Sequence, residues 1–196
     1  MSKIKQAIIS VSDKNKLEVV LKILKKFNIK IISSGGTCKK IRKLGYKCNE
    51  VSNFTNSSEI LEGRVKTLHP KIHAGILSKR NSKSHKKQMK LNKYENIDLV
   101  IVNFYPFEKA VSKKKDNKFI IEKIDIGGPT LARAAAKNFN DVTVITNVDQ
   151  YNKLIYELQK NNGSTSLEFR QKLSEEAFSE TSYYDSMVTN YFTNKR

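Results

Sequence analysis

Cysteine is scarce in this sequence. Cys38 and Cys48 are the only two in 196 residues, and no CxxC spacing relates them. That pattern implies neither a disulfide framework nor a cysteine metal site, and both read as free thiols of a reducing cytoplasm. No apolar run is long enough to span a membrane, and the opening Met1-Ser2-Lys3-Ile4-Lys5 lacks the apolar core of a secretion signal. Acidic residues are few as well: 19 Asp and Glu stand against 37 Lys and Arg, a formal charge of +18. Such an excess fits a lysine-decorated surface or an anionic partner, either a phosphorylated small molecule or nucleic acid. Most of it is Lys, and Asn and Ile are also plentiful, a bias that weakens charge as a guide to function. Helix-turn-helix, zinc and aromatic RNA-binding signatures are missing, so nucleic acid is not the expected partner. Internal repeats and long linkers are missing too. With 38% hydrophobic residues, residues 1–196 are read as one domain with one core.

Short apolar runs alternate with helical spacing along the chain. Ile4–Val11 reads as a buried strand, and Ser12-Asp13-Lys14-Asn15 supplies turn and helix-capping chemistry. Leu17, Val20, Leu21 and Leu24 then follow helical spacing. Further strands are expected at Lys30–Ser33, Glu50–Ser52, Asp98–Asn103 and Asp141–Thr146, the fourth of these five being the clearest. A helix follows Ser34–Thr37, with Gly45 as its stop. Ser82–Lys93 is read as an exposed helix or loop and Ser112–Lys118 as a charged connection. Helices are expected from Tyr151, again over Leu167–Phe178, and over Ala177–Tyr191. The alternation predicts a parallel α/β sheet covered on both faces, a three-layer sandwich.

In such sheets ligands bind beyond the C-terminal strand ends, and polar or glycine-rich segments fall there. Ser12 and Lys14 follow the first strand. Ser34-Gly35-Gly36-Thr37 follows the second; its glycines permit close approach of a phosphate to a helix N-terminus, although such a turn alone equally serves as a cap. Gly63–Pro70 holds Arg64, Lys66 and Thr67. In an extended stretch the two cations point the same way and suit an anion; an exposed basic loop is the alternative. His69 and His73 are four apart, but Pro70 starts the helix between them and no third ligand is evident, so no metal site is assigned. Asn103-Phe104-Tyr105 follows the clearest strand, and Tyr105 is either a phenolic donor or a core aromatic. Ile124–Thr130 carries Asp125, Ile126, Gly127 and Gly128, and a Gly-Gly-Pro helix start leaves backbone N–H groups open to an oxyanion. Three alanines then precede Lys137, which is either a surface cation favoured by the helix dipole or a proton-transfer group. With all of Gly128–Lys137 helical, the two ends are about 13 Å apart, a gap that a long lysine side chain leaning toward the N-terminus bridges through a shared substrate, without need of direct contact with Asp125.

Taken in order and spacing, Ser10–Lys14, Ser34–Thr37, Gly63–Pro70, Asn103–Phe107, Ile124–Asn138 and Tyr184-Asp185-Ser186-Met187 resemble the IMP cyclohydrolase family from Ile4 to Phe192. The resemblance is to the N-terminal domain of a bifunctional purine enzyme; the folate-dependent formyltransferase domain of that enzyme has no counterpart in these residues. It implies a methylglyoxal-synthase-like fold and closure of a formylated aminoimidazole carboxamide ribotide to IMP, with no cofactor or metal, in a homodimer. By position it implies that Ser12, Lys14, Ser34, Gly35, Gly36 and Thr37 bind phosphate. Arg64, Thr67, Asn103, Ile126, Gly127 and Gly128 would complete the substrate pocket, and Lys66, Tyr105, Asp125 and Lys137 would be catalytic. Asn56-Ser57-Ser58 departs from the family's glycine-containing stretch there. A lyase acting on a triose phosphate and a non-catalytic effector-binding module share this fold, but the first lacks its expected paired carboxylates here and the second needs no Lys66–Asp125–Lys137 set.

Overall fold

A computed structural model describes residues 3–112 and 116–194. Of the residues read above, Met1, Ser2 and Lys113–Lys115 of the charged connection lie outside that range. Five parallel strands form one sheet: β1 (Gln6–Val11), β2 (Lys30–Ser33), β3 (Asn49–Glu50), β4 (Leu99–Asn103) and β5 (Thr143–Ile145). Their order is β3-β2-β1-β4-β5. Ala7 to Ile9 of β1 and Leu99 to Val102 of β4 are at most 1% exposed. Consecutive residues of a strand point to opposite faces, so both faces of the sheet centre are covered and the three-layer α/β architecture is present.

Ten helices surround the sheet among the described residues: α1 (Leu17–Lys26), α2 (Gly35–Lys43), α3 (Val51–Thr55), α4 (Pro70–Leu77), α5 (Lys83–Leu91), α6 (Phe107–Ser112), α7 (Asn117–Glu122), α8 (Gly127–Lys137), α9 (Tyr151–Lys160) and α10 (Leu167–Thr193). Helices α1 and α9 pack together, as do α4, α8 and α10. The small residues of α8 explain part of this: Ala132, Ala135 and Ala136 are fully buried, and without bulk at those positions β4 and α10 approach closely.

Three expected elements differ. The strand expected at Glu50–Ser52 ends at Glu50, and Val51 begins α3; β3 pairs only with Ile32 and Ser33 of β2, too short a ladder to hold the chain extended. The two C-terminal helices are one helix of 27 residues, because no breaker stands between Phe178 and Tyr183. Asp13 does not cap α1; its Oδ1 accepts from the Asn15 N–H at 2.8 Å in a local turn. No helix among the described residues is long and apolar enough to cross a membrane.

The chain runs β1, β2, β3 to one side and then crosses to β4 on the other flank of β1. The switch point therefore lies between β1 and β4, where a crevice opens beyond the strand ends.

Candidate active site

Asn103 ends β4 at this switch point. Its Oδ1 accepts from the N–H groups of Ser12 and Asp13 at 2.7 and 2.8 Å, and its Nδ2 donates to the Asp13 carbonyl at 3.0 Å. The side chain expected to line the substrate pocket thus braces the turn after β1. Lys14 has a similar duty: its Nζ donates to the Val11 and Ser12 carbonyls, both at 3.1 Å. Thr37 is also engaged. Its buried hydroxyl accepts from the Val11 N–H at 3.2 Å and donates to the Val11 carbonyl at 3.0 Å. It ties α2 to β1, and its hydroxyl is not an open phosphate donor.

The start of α2 fits an anion better. Ser34 is the residue before the helix, and its side chain makes no capping hydrogen bond, so the first-turn N–H groups are left for a ligand. Gly35 and Gly36 differ. Gly35 has φ +51°, a left-handed backbone, and the Lys66 ammonium lies 3.2 Å from where a Cβ would sit; nothing stands within 4 Å of the corresponding point on Gly36. A cleft of about 180 Å³ runs along this side, lined by Ser34, Gly35, Glu59, Val65, Lys66 and His69 among others.

The segment Leu61–Thr67 is a succession of tight turns, not the extended stretch that would align its cations. Consequently Arg64 and Lys66 diverge. Lys66 turns inward over Gly35, with the Glu59 carboxylate at 4.0 Å. Arg64 turns out and pairs with Glu122 of α7 through two guanidinium nitrogens. His69 stands just before Pro70, as expected, and its Nδ1 accepts from the Lys71 N–H at 3.1 Å. His73 is half-buried, and desolvation holds its imidazole below the ordinary value.

Asp125 closes the other wall. One carboxylate oxygen accepts from the Gly128 N–H at 2.8 Å and the other from the Tyr105 N–H at 3.4 Å. The Gly128 amide, expected to be open to an oxyanion, is therefore occupied. Both glycines also leave room for their neighbours: a Cβ on Gly128 would fall 2.6 Å from Asp125 Oδ2 and one on Gly127 2.6 Å from Thr67 Oγ1, so either side chain would have to shift. Lys123 places its ammonium 5.0 Å over the Tyr105 ring. Ile126 is 57% exposed at the rim.

Lys66 and Thr67 thus reach α2 and α8, and Tyr105 and Asp125 join α8 to the end of β4. Lys137 is not brought to them. It is the last residue of α8 and is exposed, ten residues beyond Gly127, or about 15 Å along a helix. Its neighbour Asn138 donates to the Ile76 and Ser78 carbonyls, and Arg80, two residues on from Ser78, pairs with Asp98 just before β4 begins. That end of α8 lies by the N-terminal edge of the sheet. A larger cleft of about 750 Å³, lined by Lys30, Tyr46, Cys48 and Phe54 among others, flanks the first residues of β1 and β2 and holds none of the predicted site residues.

Sequence reading missed Glu59 and Glu122, which hold the two cations, and Tyr184, which contacts the Asp125 backbone from α10. Glu59 and Glu122 carry no local signature; Tyr184 lies in a segment the resemblance had marked.

Residues 16–130 match the MGS-like domain family and residues 135–196 the AICARFT/IMPCHase bienzyme family. Among curated proteins the chain is similar to the bifunctional purine biosynthesis protein PurH of Rippkaea orientalis, 47% identical over 95% of this chain and 36% of that protein. It is also similar to PurH of Caldicellulosiruptor bescii, 48% identical over 98% of this chain and 37% of that protein. The chain thus spans little more than a third of the length of these relatives. Among solved structures it resembles one described as the crystal structure of ForH, with a TM-score of 0.83 and 30% identity, covering 96% of this chain and 99% of the other. The chain belongs to the MGS-like domain family, in the branch whose C-terminal part is that of the AICARFT/IMPCHase bienzyme.

Proposed function

We propose that the chain is an IMP cyclohydrolase, converting 5-formamidoimidazole-4-carboxamide ribotide (FAICAR) to IMP and water. The observation that supports this reading is the uncapped start of α2 with the Lys66 ammonium beside Gly35, while Tyr105 and Asp125 stand joined beyond the end of β4. In the reaction the carboxamide nitrogen attacks the formyl carbon, a C–N bond forms, and the nitrogen gives up a proton. The formyl oxygen gains charge, takes up that proton and a second one from the formamide N–H, and leaves as water as its C–O bond breaks. An amide nitrogen is a poor nucleophile, so the step needs a base near nitrogen and a cation or donor near oxygen.

The assignments follow from position. The N–H groups of Gly36 and Thr37 at the start of α2 hold the ribose phosphate, with Ser12 and Ser34 beside them. The Lys66 ammonium faces the formyl oxygen. Asp125, its carboxylate oriented by two backbone N–H groups, accepts the carboxamide proton, and Tyr105 hydrogen-bonds the ring edge. Arg64, released from Glu122, adds charge at the rim. Lys137 stands outside this pocket in the single chain, so a role for it in the reaction requires a second copy to present it. A homodimer in the cytoplasm is the proposed form of the protein. The atom balance includes no redox step, and folate would serve only the formyl transfer of a separate domain. Incubation of the purified chain with FAICAR should yield IMP, followed by absorbance; a folded chain that leaves FAICAR unchanged refutes the reading.

A further inference from the structure

The Tyr184–Met187 segment is the one family-like motif with no place in the reaction above. It lies in α10, far along the chain from the pocket, yet the Asp125 N–H donates to the Tyr184 hydroxyl at 2.7 Å across 59 residues. We propose that Tyr184 is a positioning residue for the reaction: it anchors the backbone of the Lys123–Ile126 connection and thereby fixes where the Asp125 carboxylate points.

Three features carry this inference. First, the hydroxyl has a fixed location. The Tyr184 ring is 3% exposed and meets Phe104 edge-on at 5.3 Å and Phe107 at 6.3 Å. Edge-to-face packing of this kind restricts the ring's tilt as well as its position. Second, Asp125 is gripped from two sides. Its main chain is held from behind by α10, and its carboxylate from the front by the amides of Gly128 and Tyr105. Between α7 and α8 the amides of Lys123 and Ile124 bond only within their own turn, to the Ile120 and Ile121 carbonyls, so at Asp125 the phenol ties the main chain to α10. Third, the parts interlock. Phe104, against which Tyr184 packs, lies 3.0 Å from where a Cβ on Gly128 would sit, so movement of the ring is felt at the start of α8. Burial also raises the phenol above its ordinary value, which keeps it un-ionised at neutral pH.

The inference rests on the reading of Asp125 as the proton acceptor. The decisive variant is Tyr184→Phe, which deletes one oxygen and keeps the ring. Three measurements are made on it: FAICAR turnover, thermal stability, and amide hydrogen exchange at Asp125 and Gly128 in the ligand-free protein. A positioning role predicts a kcat at least tenfold lower with KM within twofold of the parent, and exchange at both amides at least tenfold faster. Tyr191→Phe is the control. That phenol donates to Asn117 in the same aromatic cluster, with its ring 5.6 Å from Phe107, and its loss should leave kcat within twofold. Unchanged exchange at Asp125 overturns the proposal, as does a kcat within twofold in Tyr184→Phe. An equal loss of kcat in Tyr191→Phe also overturns it, since the effect is then a general loosening of α10. Failure of Tyr184→Phe to fold assigns the hydroxyl to stability alone and overturns it too. If the parent makes no IMP, the cyclohydrolase reading fails, and the exchange data alone decide whether Tyr184 fixes Asp125.

Discussion

Adjacent glycines at the start of α2 should respond to alanine in opposite ways. Gly35 has φ +51°, where an L side chain crowds its own carbonyl at a cost of about 1–2 kcal/mol. Its Cβ would also meet the Lys66 ammonium at 3.2 Å, but a flexible side-chain end moves aside at small energetic cost. The backbone term therefore dominates stability. At about 2–4 °C per kcal/mol for a chain of this size, Gly35→Ala should lower Tm by about 2–8 °C. Gly36 has an ordinary φ and nothing within 4 Å of a new Cβ, so Gly36→Ala gains by restricting the unfolded chain, about 0.4–1 kcal/mol. Its Tm should rise by about 1–4 °C. Function separates the two differently. Displacing Lys66 by a few tenths of an ångström in Gly35→Ala should reduce kcat about three- to tenfold. In Gly36→Ala a methyl enters the open space assigned to phosphate, so KM should rise although the protein is more stable. Differential scanning calorimetry without ligand, then initial rates on FAICAR, give all four numbers. Equal Tm shifts in the two variants would refute the conformational argument, and a stabilised Gly36→Ala with unchanged KM would remove phosphate from this helix start.

Other predictions follow from single groups. Asp125→Asn keeps the shape but removes the proton acceptor, and kcat should fall by about 10²–10⁴, while IMP binding by titration calorimetry changes little; a variant retaining a tenth of parental kcat contradicts the assignment. Asn103→Ala removes the acceptor of the Ser12 and Asp13 amides; one is half-buried and the other exposed, so water replaces part of it and the loss should be about 0.5–1.5 kcal/mol, with KM raised more than kcat is lowered, as read by denaturation and steady-state rates. His73 gives a pH dependence. Burial lowers its pKa below 6.5 in the folded chain, so between the folded value and 6.5 the unfolded chain binds more protons. The stability it contributes is present above about pH 6.5 and is lost as pH falls through the folded value. Tm measured over that window should fall less steeply in His73→Gln than in the parent.

Much of the architecture was legible because β1 and β4 are short apolar runs buried on both faces, and α8 advertises close packing through its alanines. The strand expected at Glu50–Ser52 failed because β3 has a single short partner ladder, a tertiary fact invisible in local propensity. At the site, the sequence put the candidate residues beyond the strand ends without showing what their side chains bond. Thr37 and Asn103 reached the strand ends as expected, yet their side chains bond Val11, Ser12 and Asp13 from 26 to 91 residues away. Local sequence cannot tell a ligand donor from a brace of that kind. It equally cannot separate Gly35 from Gly36, which differ in backbone φ and in the nearby Lys66 ammonium, or foresee that turns at 61–67 would send Arg64 and Lys66 to different carboxylates. Lys137 is the last residue of α8, a helix length away from Gly127, a separation the sequence spacing already implied.

The most direct measurement is a progress curve of FAICAR with purified chain, with chelator present and folate absent, run beside Asp125→Asn. The account predicts stoichiometric conversion to IMP by the parent and at least a hundredfold slower conversion by the variant. Parent and Asp125→Asn curves that coincide, or a folded parent that binds IMP but never forms it from FAICAR, would contradict it.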